Sequence, residues 1–159
     1  MFGKLTLDAI PWDQPIPLMR GDVAAICCFE PYAALAEQNG WGKRLWVPYD
    51  SPMGKTNLGF VASEKFVKAD TELTKKMVQA HVKATQKMAS DTSIAIETTI
   101  KQFKMTKEVA ELSTKNLFFS AESGATFVSG LKSLAKMMVE DKMLEKEPHW
   151  GSFLNLGYV

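Results

Sequence analysis

The chain has 159 residues and a mass of 17.7 kDa, a length that predicts a single domain. Its 46% hydrophobic and 23% charged residues are typical of a soluble globular protein and exclude a disordered tail, a collagen-like repeat and a disulfide-dense miniprotein. With 19 basic and 18 acidic side chains the net charge is +1, so the chain lacks the basic excess of a nucleic-acid-binding protein. No nucleic-acid partner is therefore expected.

The first 62 residues alternate short apolar runs with prolines and glycines. Runs with period two and continuous apolar runs predict strands, and a proline followed by alanines and leucine predicts a helix. In chain order, the predicted elements are a strand at 4–7, a short helix ending at Gly21, a strand at 23–29, a helix from Pro31 to Asn39-Gly40, and strands at 44–47 and 58–62. Strands that alternate with helices predict an α/β fold with a parallel sheet.

Residues 70–146 contain no proline and show helical spacing. Asp70 is the predicted N-cap of an amphipathic helix, and further helices are predicted at 92–103, 107–116 and 125–142. The predicted apolar face of the first helix comprises Leu73, Met77, Ala80, Ala84 and Met88, and that of the last comprises Phe127, Leu131, Leu134 and Met138. We expect the apolar residues 150–159 to pack against the rest of the chain.

Sequence patterns for catalysis and metal binding are missing from the chain. His81 and His149 form no pair with metal-ligand spacing, and there is no nucleophile elbow, phosphate loop or dinucleotide-binding glycine set. Cys27 and Cys28 are adjacent, so an ordinary disulfide between them would be strained, and they are predicted to be small packing residues. No catalytic residue, bound metal or cofactor is therefore expected.

A carboxylate stands where a predicted strand meets a predicted helix. Glu30 follows the strand at 23–29 and precedes Pro31. In open α/β sheets ligands bind at the carboxyl ends of the strands, and the N-terminus of a helix suits an anion. Glu30 is therefore either part of a ligand site or a cap of the helix, and the residues alone leave both interpretations open.

A series of short motifs runs through the chain in a fixed order. They are Gly21-Asp22-Val23-Ala24-Ala25, Phe29-Glu30-Pro31-Tyr32, Gly40, Leu45-Trp46-Val47, Ser63-Glu64-Lys65-Phe66, the stretch 70–81 and Phe153-Leu154-Asn155. In order and spacing, the series resembles the second half of the periplasmic substrate-binding proteins of bacterial ABC importers for nitrate, sulfonates, taurine and thiamine-pyrimidine precursors.

The resemblance implies an α/β fold of the periplasmic binding protein type II kind, with two lobes of which this chain holds the second half and a helical C-terminal part. Residues 1–57 would belong to lobe two, and residues 58–159 would return to lobe one. It also implies a periplasmic location, although residues 1–8 show no signal-peptide pattern and by themselves predict a cytoplasmic chain. The ligand-binding residues that it implies are Glu30, Phe29, Cys28, Tyr32, Trp12 and Asp13.

The function that the resemblance implies is a non-catalytic solute-binding component, or a truncated remnant of one. Its partners would be a small-molecule solute and the membrane permease of the importer. Because the chain would hold only half of the binding cleft, we expect it to bind small solutes weakly or not at all by itself. Strand edges and apolar faces left open by the missing half predict self-association.

Two alternative functions stay open. One is an enzyme similar to the fungal thiamine-pyrimidine synthases, which use a cysteine-rich stretch with iron and which Cys27-Cys28-Phe29 faintly resembles. The other is the effector domain of a transcription regulator of related fold, although no helix-turn-helix pattern or basic region is present.

Overall fold

The structure, a computed structural model, describes residues 15–47, 59–121 and 123–158. Within these ranges 60% of the residues are helical and none lies in a strand. The helices are α1 (Ile16–Arg20), α2 (Tyr32–Gln38), α3 (Glu64–Ala69), α4 (Thr71–Ser90), α5 (Thr92–Phe103), α6 (Lys107–Lys115), α7 (Ala125–Glu140) and α8 (Trp150–Phe153). No helix in the described ranges combines the length and the apolarity needed to cross a bilayer.

The predicted α/β fold is wrong for the described part of the chain, and with it the two-lobed architecture of the periplasmic binding protein type II kind. Segments 23–29, 44–47 and 59–62 are irregular rather than strands, while the strand predicted at 4–7 lies outside the described residues. A strand needs a neighbour to bond its backbone and a layer to cover its apolar face. These segments have no strand neighbour among the described residues, and Val61 is 90% exposed.

The structure confirms the predicted helices. Local capping signals explain where several of them begin and end. The side chains of Ser63, Asp70 and Thr106 each accept a hydrogen bond from the backbone N–H three positions on, which holds the first turns of α3, α4 and α6. Gly21 follows α1 with a φ of 76°, a left-handed conformation that glycine adopts without strain. The bounds of α5, α6 and α7 lie within two residues of the predicted ones.

The chain divides into two compact units, each built from two segments of sequence. The first unit comprises Met1–Leu45 and Thr92–Leu117, and in its described part α6 packs against both α2 and α5. The buried side chains of these helices are small: Ala34, Ala36, Ala95, Thr99, Val109, Ala110, Ser113 and Thr114. The Ser113 hydroxyl is buried without a hydrogen-bond partner among the described residues. Small side chains let the helices approach each other closely.

The second unit comprises Trp46–Asp91 and Phe118–Val159, and in its described part α3 packs against α4. The predicted apolar face of α4 is largely in solvent, since Leu73 is 43% and Met77 41% exposed, whereas Thr74 and Thr85 of a neighbouring face are buried. On α7 the four predicted residues are all half-buried. The boundary predicted at residues 57 and 58 stays a prediction.

Candidate functional site

The carboxylate of Glu30 is held from two sides. Its Oε2 accepts a hydrogen bond from the backbone N–H of Ala34 at 3.1 Å, and its Oε1 accepts one from Nη2 of Arg44 at 2.7 Å. Ala34 lies in the first turn of α2, where the N–H groups have no partner within the helix. Glu30 therefore caps α2, as one of the two interpretations has it, while its contact with a solute stays a prediction.

Arg44 joins Glu30 to a second carboxylate, that of Glu37. Nη2 of Arg44 also donates to Oε2 of Glu37 at 3.1 Å, and the backbone N–H of Arg44 donates to Oε1 of Glu37 at 3.0 Å. Glu37 lies in the last turn of α2, and its carboxylate lies close to that of Glu30 because Nη2 of Arg44 binds both. Glu30, Glu37 and Arg44 are called the carboxylate–arginine cluster below.

The carboxylate–arginine cluster carries one more negative than positive formal charge. Burial of the Arg44 guanidinium lowers its pKa, but the hydrogen bonds and negative charges of Glu30 and Glu37 outweigh burial, so the pKa lies above its ordinary value. Two carboxylates around one guanidinium favour cationic and hydrogen-bond-donating groups over anions. The start of α2 adds no anion site, because this helix has only seven residues and Glu30 already binds its Ala34 N–H.

The other predicted ligand-binding residues lie along the chain on either side of Glu30. Cys28 and Tyr32 are half-buried, and Phe29 is 47% exposed. The backbone N–H of Tyr32 donates to the carbonyl oxygen of Phe29 at 3.1 Å, so a tight turn with a cis Glu30–Pro31 bond connects them. Trp12 and Asp13 lie outside the described residues. The turn thus places an exposed aromatic ring next in sequence to the anchored carboxylate.

Arg44 and Glu37 are the members of the cluster that the sequence interpretation missed. Arg44 was expected only as the first residue of a strand, and Glu37 only as part of a helix. No spacing rule would have found them, because Glu30 lies before the first residue of α2 and Arg44 is 14 residues away from Glu30. Arg44 follows the glycine-containing loop that ends α2, which brings the chain back towards the two carboxylates.

The thiol of Cys28 titrates above its ordinary range. Burial raises its pKa, the charges of Glu30 and Cys27 raise it further, and Arg44 opposes them. Because the thiolate is the nucleophile, we expect Cys28 to react slowly at neutral pH. Cys28 is the sole cysteine of the Cys27→Ser variant. The pH at which its alkylation by iodoacetamide reaches half the maximal rate should be higher in the folded variant than in the same variant unfolded in urea.

The same rate profile separates the contribution of Glu30. Adding Glu30→Gln to Cys27→Ser removes a negative charge that raises the Cys28 pKa, so the midpoint should fall. Glu37→Gln is the matched control, since Glu37 does not contribute to the Cys28 shift, and its midpoint should stay in place. Equal midpoints in the folded and urea-unfolded chain would contradict the placement of Cys28.

Among residues 15–47, 59–121 and 123–158, no three or more His, Cys, Asp or Glu side chains gather into a possible metal site. In comparisons with known proteins, no family model, curated protein or solved structure matches the chain. A function is therefore argued from its own residues.

Proposed function

We propose that the chain is a non-catalytic solute-binding component of an ABC-type importer, and that its solute carries an amino or similar hydrogen-bond-donating group. The observation that carries the proposal is the carboxylate–arginine cluster, whose Glu30 belongs to the motif Phe29-Glu30-Pro31-Tyr32. The sequence resemblance supplies the class of protein, and the charge of the cluster supplies the preference among solutes. A periplasmic location and a membrane permease as partner belong to the same proposal.

The charge of the cluster ranks the solutes that the resemblance implies. An aminopyrimidine offers an exocyclic amino group to a carboxylate and a flat ring that could pack against Phe29, which is 47% exposed. Taurine offers an ammonium group but no ring. Nitrate offers neither and meets a net negative charge. We therefore expect the aminopyrimidine to bind best, taurine next and nitrate not at all.

We expect this binding to be weak. A tight small-molecule site covers about 70–90% of its ligand, whereas Phe29 is itself 47% exposed. The Glu30 side chain is only 7% exposed, and its two oxygens already accept hydrogen bonds from Arg44 and from the Ala34 N–H. A dissociation constant on the order of 1 mM corresponds to about 4 kcal/mol, which one charge-assisted hydrogen bond and one ring contact can provide. Heteronuclear NMR of the isotope-labelled chain detects binding in this range, and it reports which amides move.

The titration compares an aminopyrimidine, taurine and nitrate, each to about 10 mM. Amide signals of Cys28, Phe29, Glu30 and Tyr32 should shift with the aminopyrimidine and less with taurine. Phe29→Ala should weaken the aminopyrimidine more than taurine, because only the former contacts the ring. Phe153→Ala is the matched control, since Phe153 is 61% exposed and lies in the second unit, and it should leave both titrations unchanged.

Two results would count against the proposal. One is a spectrum in which no solute moves any of the four signals. The other is nitrate binding at least as tightly as the aminopyrimidine, which would show that negative charge does not govern the site. A dispersed spectrum of each variant, recorded before the titration, separates loss of binding from loss of folding.

A further inference from the structure

Both oxygens of the Glu30 carboxylate are bonded within the chain. Oε1 accepts from Nη2 of Arg44 at 2.7 Å, and Oε2 accepts from the backbone N–H of Ala34 at 3.1 Å. The Glu30 side chain is only 7% exposed, whereas that of Arg44 is 26% exposed. Because so little of Glu30 is accessible, a solute reaches its oxygens only by displacing one of these two donors.

Arg44 is the donor that can leave at the lower cost. Ala34 is fully buried, so its N–H, once displaced, would have no water to bind. The guanidinium of Arg44 is partly exposed and has a second carboxylate to hold it. Nη2 donates to Oε2 of Glu37 at 3.1 Å, and the backbone N–H of Arg44 donates to Oε1 of Glu37 at 3.0 Å. Arg44 can therefore release Glu30 and keep both of its bonds to Glu37.

The contact between Arg44 and Glu30 is one that a small solute can reproduce. The same nitrogen, Nη2, serves both carboxylates, so Glu30 is not gripped by two parallel N–H groups, the stronger arrangement for arginine and a carboxylate. A methylguanidinium ion, which is the end of an arginine side chain, offers Oε1 the same N–H group, and an aminopyrimidine offers an amino N–H. Either can take the position of Nη2.

We infer that the solute replaces Arg44 at Oε1 of Glu30, so that Arg44 is an internal competitor that lowers the affinity of the site. The inference rests on the proposed function, because it concerns the solute site of that proposal. The apparent affinity of the wild-type chain falls in proportion to the fraction of molecules in which Oε1 is free. Arg44 thus determines how tightly the site binds, and a planar N–H donor is the part of the solute that replaces it.

Titrations with methylguanidinium and an aminopyrimidine, each to about 10 mM and followed by amide NMR signals, test the inference. Arg44→Met and Arg44→Gln both remove the competing charge, and glutamine keeps an N–H donor, which gives a second variant if the methionine variant does not fold. Each should bind both probes about tenfold or more tightly than the wild-type chain does, because a charge-assisted hydrogen bond no longer has to be broken.

Lys43→Met is the matched control, because it removes the same charge from the neighbouring exposed residue, while the ion pairs of Glu30 and Glu37 come from Arg44. It should change either affinity by less than about threefold. A second measurement uses the wild-type chain alone. Nitrogen relaxation of the Arg44 Nε–H should show a more mobile side chain when the aminopyrimidine is bound, since one of its two carboxylate contacts is then lost.

The outcomes separate this inference from the proposed function. Folded Arg44 variants that bind no more tightly than the wild-type chain overturn the inference, and the proposed function survives if the wild-type chain still binds the aminopyrimidine. An equal gain in Lys43→Met also overturns it, because net charge alone would explain the gain, as does an Arg44 side chain that stays equally rigid in the bound wild-type chain. Binding of methylguanidinium by the Arg44 variants alone supports the inference and counts against the proposed function.

Discussion

Replacing Arg44 with methionine lowers the free energy of unfolding of the first unit by about 2–3 kcal/mol. The Glu30 side chain is only 7% exposed, and without the guanidinium it lies near Glu37 with no positive charge between them. Methionine keeps an apolar stem of similar length, so the loss reports the charge and its hydrogen bonds rather than a cavity. Urea unfolding followed by circular dichroism gives the total change, and amide hydrogen exchange in α6 locates it in the first unit.

A surface ion pair serves as the comparison for Arg44. Lys101 pairs with Glu97 on α5 at 3.2 Å, but both side chains are at least 66% exposed, so Lys101→Met should cost no more than about 0.5 kcal/mol. Glu30→Gln keeps an oxygen that can accept the Ala34 N–H and removes the charge. Combined with Arg44→Met in a double-mutant cycle, it should give a coupling of about 1–2 kcal/mol. A coupling near zero would show that Arg44 stabilises the unit without Glu30.

The helices are the part of the fold that the sequence predicts, because their signals are local. A capping side chain and the N–H that it binds are three residues apart, as with Asp70 and Leu73, and the proline-free stretch from 70 to 146 has few interruptions. Which face of a helix is buried depends on distant residues. This is why the apolar stripe through Leu73 and Met77, which makes α4 amphipathic as predicted, is nevertheless largely exposed.

The strands failed for the same physical reason. An apolar run such as 23–29 shows a tendency to be covered, but a strand exists only if another strand bonds its backbone, and no local pattern provides that neighbour. The sequence interpretation took the other predicted strands as partners, because strands that alternate with helices predict a parallel sheet. The segments are apolar, but the described chain leaves them unpaired, so the strands predicted from their composition are wrong.

The candidate site shows how far a single motif leads. The Glu30-Pro31 junction identified the carboxylate that the structure anchors, and capping was one of the two interpretations that it allowed. Motif analysis did not supply Arg44, which is 14 residues away and meets Glu30 only after α2 and its following loop have turned the chain back. The charge balance of the site, on which the proposed preference for amino solutes rests, could not be predicted without this contact.

Replacing Ala110 with leucine should destabilise the first unit by about 2–3 kcal/mol. Ala110 is fully buried on α6, the helix that packs against both α2 and α5. Ala34 on α2 and Ala95 on α5 are also buried, so small side chains set how closely the three helices approach. Because position 110 is fully buried, a leucine side chain cannot extend into solvent and must push the helices apart. Urea unfolding and hydrogen exchange in α6 measure the loss.

Ala80→Leu on α4 is the matched control, because it makes the same change at an exposed helical position and should alter stability by no more than about 0.5 kcal/mol. Ala110→Gly tests the opposite direction and should also destabilise, by about 1–2 kcal/mol, through lost helix propensity and lost packing. If Ala110→Leu instead leaves stability unchanged, the interface holds free volume and its small side chains do not set the helix spacing.

The Ala110→Leu variant also tests whether the helix packing positions the cluster. Glu37 lies on α2 and Glu30 caps it, so a displaced α2 would move both carboxylates relative to Arg44. In the Cys27→Ser background, the Cys28 midpoint depends on burial and on Glu30, and should therefore fall when Ala110→Leu is added. A loss of stability with an unchanged midpoint would mean that the segment from Cys28 to Arg44 holds the cluster without support from α6.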